Sequence, residues 1–184
     1  MSGRASLREL ASTQVGRVVL GLFGGCLVGS MTVLTGQVTG MLPLGEPRTL
    51  RAPCRDASVT ALVPGGEVAR DEGGRTGAEC ETSAPSPRHA RLEVRVEKAW
   101  TPGRAEEGHR RGCASLTGLG PVGHPPGLGD EACVVTDRGM LPVTTVLVRR
   151  GALRVTVRYA SAAKGAAAVE GDAVAVARRV TASP

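Results

Sequence analysis

Strict alternation of apolar and polar residues marks the clearest strand of the first half. From Arg91 to Lys98, Leu92, Val94 and Val96 point one way, while Arg91, Glu93, Arg95 and Glu97 point the other. This is the period-2 pattern of a strand with one buried face. Two further runs, Val143 to Arg149 and Leu153 to Tyr159, flank Arg150-Gly151-Ala152 and predict a hairpin with glycine in its turn. In the second run Leu153, Val155, Val157 and Tyr159 face in, and Arg154, Thr156 and Arg158 face out. Shorter β-like runs cover Ala132 to Thr136 and the surroundings of Cys80.

The period then changes. Between Ala166 and Thr181, residues Val169, Ala173, Val176 and Val180 fall on one helical face. Asp56 is placed to cap a short helix over Ala57 to Val63, which Pro64-Gly65-Gly66 ends. Residues 65–77 are glycine-rich and charged and read as a loop, and residues 101–112 as a loop or weak helix. Leu116 to Gly129, with five glycines and three prolines, also reads as a loop. The pattern predicts an α+β domain whose antiparallel sheet is covered by helices on one face. Its core is expected from Leu92, Val94, Val96, Val146, Val148, Val155, Val157 and Tyr159, packed against Val169, Val176 and Val180.

A different pattern occupies the beginning of the chain. Val18 to Gly45 is a run of 28 residues without a charge. About 20 residues suffice to cross a hydrocarbon core, so the run predicts a transmembrane helix over residues 18–42. The expected organisation is a cytoplasmic tail (1–17), the anchor (18–42), a Pro/Gly linker (43–52) and an extracytoplasmic domain (53–184). Competing readings are a cleaved signal peptide and a lipoprotein signal acylated at Cys26. The uncharged run exceeds the usual 7–15-residue apolar stretch of a signal peptide, and Phe23-Gly24-Gly25 fits a lipobox poorly. Gly21, Gly25 and Gly29 share one face of such a helix, the spacing through which two membrane helices approach closely, so a homodimer through them is one expectation.

Flanking charge does not orient the segment. Arg4, Arg8 and Arg17 precede it, and Arg48, Arg51 and Arg55 follow it. Cysteines decide instead. Cys26 lies within the run, and Cys54, Cys80, Cys113 and Cys133 lie beyond it, the even number that two disulfides require. Disulfides persist in oxidising compartments, which places the domain outside and the N-terminus inside. Sequential pairing gives Cys54–Cys80 and Cys113–Cys133, each staple worth roughly 3 kcal/mol in the loop-entropy model. The alternative is a zinc site from His109, Cys113, His124 and Cys133, whose spacing matches no standard finger.

Composition narrows the chemistry. The chain has 184 residues, 2% of them aromatic (Phe23, Trp100 and Tyr159), and it contains neither Ile nor Asn. Arginine outnumbers lysine 21 to 2, a bias of the kind a GC-rich genome imposes. Beyond residue 44 the net charge is +4, so excess Arg on outward strand positions is one way to meet an anionic envelope polymer or lipid headgroups. Nucleic acid is not an expected partner, since Trp100 and Tyr159 supply no stacking platform. Gly118-Leu-Gly120-Pro-Val-Gly123 satisfies G-x-G-x-x-G, but Pro121, Pro125 and Pro126 forbid the helix that a dinucleotide site needs. Asp130-Glu131 on a strand would point to opposite faces and reads as a turn cap. His89, His109 and His124 have no serine or cysteine in a catalytic context. No catalytic residue, metal or cofactor is assigned, and an enzyme is disfavoured.

The soluble part resembles a family of actinobacterial exported proteins of unknown function, often described as lipoproteins or sensor-type domains. The resemblance rests on Pro53-Cys54, Leu62-Val63-Pro64-Gly65, Cys80, the strand from Arg91 to Val96, Gly127-Leu-Gly-Asp-Glu-Ala132, Val146-Leu-Val-Arg-Arg-Gly151 and the run ending at Tyr159. It implies an extracytoplasmic α+β domain with Cys54 paired to Cys80. The expected role is a membrane-anchored binding or accessory module of the cell envelope, with the plasma membrane and another envelope protein as partners. The alternative is a structural or stress-related envelope protein without a discrete ligand.

Overall fold

The computed structural model describes Thr49–Pro85 and His89–Ala182. The anchor expected over 18–42, Cys26 and the Gly21, Gly25 and Gly29 face lie outside the described residues. Among the described residues, no helix is long and apolar enough to cross a membrane.

The described residues form one unit built on a single sheet. The strands are β1 (Glu67–Gly73), β2 (Gly77–Ala84), β3 (Ala90–Lys98), β4 (Glu131–Asp137), β5 (Val143–Arg150) and β6 (Leu153–Ser161). Their order is β1-β2-β3-β6-β5-β4, and every neighbouring pair is antiparallel. The helices are α1 (Ala57–Thr60), α2 (Pro102–Leu116) and α3 (Ala166–Ala182), with a 3₁₀ turn at Pro53–Arg55 ahead of α1 and another at Thr117–Leu119.

Register explains where the core sits. Val94 lies opposite Val157, and Val157 opposite Val146; Val96 lies opposite Val155, and Val155 opposite Val148. Because side chains alternate across the sheet, these rows share its inner face. Every sheet residue expected in the core is buried, as are Val169 and Val176 of α3. Val180 packs against the core from a partly exposed position. Ala173 and Ala177 are buried beside them, and their small side chains let α3 lie close to the valine rows.

A second cover completes the inner face. Leu50 and Ala52, placed in the linker by sequence, are buried, together with Val59 and Val63. Cys54 is bonded to Cys80 of β2, with Cα atoms 5.3 Å apart. The Tyr159 hydroxyl donates to the Leu62 carbonyl at 3.0 Å. The helix expected over Ala57 to Val63 is only four residues long, capped by Asp56, whose carboxylate accepts from the Ser58 amide at 2.9 Å.

Three expectations are corrected. Residues 67–73 form edge strand β1 rather than a loop. Its side chains are almost all exposed, so it shows no apolar alternation. Backbone pairing with β2 recruits it, through a bulge between Val68 and Arg70, and Asp71 accepts the Cys54 amide at 3.0 Å. Residues 102–116, expected as a loop or weak helix over 101–112, form a full helix of 15 residues. The sheet is also covered on both faces, because α2 lies on the outer one over β4 and β5.

Candidate functional site

The most built-up polar feature lies where α2 crosses the outer face. The helix starts at Thr101, whose hydroxyl accepts from the Arg104 amide at 3.3 Å, and Pro102 occupies the first turn, where no N–H is needed. A Cβ on Gly112 would sit 2.9 Å from Leu147 Cδ1, so glycine there permits the helix to approach β5. His109 and Cys113, four residues apart, project from the same helical face. Cys113 is bonded to Cys133 of β4, with Cα atoms 6.0 Å apart. Leu116, Cys133 and Val135 form a small second core beside the bond, with Val122 and Leu147 packed against it.

His109 is buried, and its Nε2 lies 3.3 Å from Cys113 Sγ. Burial pushes its imidazole pKa below the ordinary histidine value; Arg149, Arg154 and His124 push the same way, and Glu131 opposes them. Three of the four expected metal-ligating residues, His109, Cys113 and Cys133, therefore converge, with ligand atoms within 4.8 Å of one another. The two sulfurs are bonded to each other, so neither carries the thiolate charge that zinc ligation uses. His124 points elsewhere: its Nδ1 lies 3.1 Å from the Ala132 carbonyl oxygen.

A cleft of about 560 Å³ opens beside this disulfide, lined by His109, Cys113, His124, Leu128, Asp130 and Glu131 among others. Asp130 and Glu131 do not diverge as strand geometry suggested. Asp130 lies just ahead of β4, and both carboxylates grip Arg149, at 3.0 Å each. Asp130 also accepts the Gly151 amide at 2.7 Å, which makes it the cap of the β5–β6 turn. The Arg149 guanidinium holds the Glu131 carboxyl below its ordinary pKa. These acids are thus occupied as structural ligands of one guanidinium.

The G-x-G-x-x-G stretch passes through the 3₁₀ turn Thr117–Leu119 into an extended segment, where Gly123 pairs with Val134. The next regular element is a strand, so no helix N-terminus faces these glycines. His89 sits at the edge of a separate groove of about 340 Å³ on the outer face, with Leu141, Val143, Arg158 and Ala160.

The outward arginines also turn out differently from a basic stripe. Arg70 pairs with Glu79 at 2.8 Å, Arg91 with Glu81 at 2.8 Å, and Arg95 with Glu79 at 2.8 Å. Arg154 pairs with Glu97. Cross-strand neighbours therefore neutralise most of this face, and each exposed pair contributes little stability. The helix beneath the cleft is longer and better defined than the loop or weak helix expected over 101–112, and Thr101-Pro102 is the start signal that locates it.

Nothing among protein-family models, curated proteins or solved structures matches this chain.

Proposed function

We propose that the chain is a membrane-tethered, extracytoplasmic binding or accessory module of the cell envelope. One observation carries this reading: a domain held by two disulfides, Cys54–Cys80 and Cys113–Cys133, follows a 28-residue uncharged run. Disulfides persist where the surroundings are oxidising, and the run is long enough to cross a bilayer. Kinship with the exported actinobacterial proteins belongs to the same proposal and rests on the short motifs around Pro53-Cys54, Cys80 and Val146 to Gly151.

The cleft beside His109 is the place for a ligand. Its volume falls within the range of small-molecule sites, and polar groups rim it. Among the described residues, all four cysteines are bonded in pairs, which leaves no thiol nucleophile there. The cleft is read as a binding site.

Two measurements test it. A membrane-impermeant protease added to intact spheroplasts is expected to digest the domain, and full protection would overturn the topology. Non-reducing peptide mapping of protein from cells is expected to recover both linkages. Free thiols at all four positions would remove the oxidising-compartment argument.

A further inference from the structure

We propose that the end of the sheet where the packed domain begins is a docking surface for an anionic lipid bilayer. This deepens the tethered reading and rests on it.

Several segments meet at that end. The Leu50 amide donates to the Gly74 carbonyl at 2.8 Å, the Lys98 amide to Thr76 at 2.8 Å, and the Ala99 amide to Ala152 at 2.8 Å. The C-terminal turn of α3 arrives there too, since the Arg150 guanidinium donates to the Thr181 carbonyl at 2.7 Å. The start of the domain, the β1–β2 turn, the end of β3 and the end of α3 therefore share one surface.

Trp100 projects from this surface and is 91% exposed. It is the sole tryptophan of the chain. A cavity of about 410 Å³ opens at the same end, with Leu50 and Val96 in its wall and Arg51, Arg55 and Arg179 around it. Among the described residues, Arg51, Arg55, Arg75, Lys98, Arg104 and Arg179 form no salt bridge. Several neighbouring carboxylates are already engaged: Glu97 with Arg154, Asp130 and Glu131 with Arg149, and Asp56 with the Ser58 amide and hydroxyl. Most of the outer face of the sheet is neutralised by its own pairs; Arg158 on that face and Arg138 at the opposite end also form no salt bridge among the described residues, but the group of six cations lies at this end.

Charge and the aromatic side chain together select the occupant. Exposed Lys and Arg are attracted to an anionic leaflet within about a Debye length of its surface. Tryptophan settles at the headgroup level, where its ring meets apolar chains and its N–H meets water. A soluble polyanion would satisfy the cations but give the indole nothing to enter. Chain length adds a third argument. Thr49 lies four positions after Gly45, the end of the uncharged run. Such a span reaches at most about 14 Å fully extended. A tether in the uncharged run would hold this end, rather than the opposite one with Met140, near the lipid.

The test uses the full chain reconstituted, with disulfides intact, into vesicles of phosphatidylcholine or of an equal phosphatidylcholine–phosphatidylglycerol mixture. Emission from Trp100 is expected to shift to shorter wavelength, and to be quenched by brominated acyl chains, only in the mixture. A triple variant, Arg51→Gln, Arg75→Gln and Lys98→Gln, is expected to lose both effects while keeping its melting temperature, since all three positions are exposed. Equal emission in the two lipids would overturn the docking surface, and so would the same shift produced by soluble polyphosphate without lipid. Flotation with phosphatidylcholine vesicles in high salt reads the tether separately. Flotation without a lipid-dependent shift retains the tether and overturns the docking. A lipid-dependent shift without that flotation supports the docking and removes the tether.

Discussion

The hydroxyl of Tyr159 donates a hydrogen bond to the carbonyl of Leu62 at 3.0 Å, joining residues 97 positions apart. Tyr159 is fully buried in the middle of the sheet, and Leu62 belongs to the short segment that covers one part of its inner face. The bond thus pins that segment to a central strand from one side, while Cys54–Cys80 pins it from the other. Tyr159→Phe keeps the ring and removes the donor, leaving the Leu62 carbonyl without this partner. The expected cost is about 1 kcal/mol in urea unfolding. An unchanged midpoint would show that the bond contributes nothing net.

Two neighbours on β6 test the assignment of sheet faces. Val157 is 0% exposed between Val94 and Val146, so Val157→Ala is expected to cost on the order of 2 kcal/mol through lost burial and a cavity. Arg154 lies on the opposite face, paired with Glu97. Its truncation to Ala is expected to cost no more than about 0.5 kcal/mol, the scale of a surface pair. Thermal melts of the two variants should rank in that order, and the reverse ranking would contradict the inward register.

Glycines 127 and 129 offer a matched pair. Both have φ of +66°, and a Cβ at Gly127 would meet open space. At Gly129 it would lie 2.4 Å from the Arg149 carbonyl oxygen and 2.6 Å from a Val148 methyl. Gly127→Ala therefore carries only the left-handed backbone cost, about 1–2 kcal/mol. Gly129→Ala adds overpacking against β5 and is expected to exceed it by roughly 1–3 kcal/mol. Denaturation midpoints of the two variants would show whether that gap exists.

His109 predicts a pH dependence. Its pKa is lowered in the folded state, chiefly by burial, from an ordinary value of 6.5. The unfolded chain then binds a proton that the folded one does not, so stability is fully present above that value and is lost as pH falls through it. The lowered carboxyls Asp56, Glu79 and Glu131 act with the same sign but below their ordinary values of 3.8 to 4.5. Unfolding midpoints between pH of about 7.5 and 5 should fall for the native chain and flatten in His109→Gln. Parallel curves would mean that His109 titrates alike in both states.

The strands β3, β5 and β6 and the helix α3 were legible because each carries its own period, two or 3.6, and burial acts on the face that the period defines. Leu92 to Val96 and Leu153 to Tyr159 could bury their apolar sides only as strands. The two disulfides were legible as an even count in chain order, and the cysteines met as expected. Other features depend on partners far along the chain. Strand β1 has no apolar face of its own and exists because β2 offers it an unpaired edge. Helix α2 is polar except where it meets β4 and β5, so its burial has no stripe to announce it. Asp130 and Glu131 converge because Arg149, 18 and 19 residues away, forks between them. Local periodicity determined the pieces with one apolar side; the pairing of polar groups, and the charged end around Trp100, were decided only when antiparallel packing brought distant turns to the same edge.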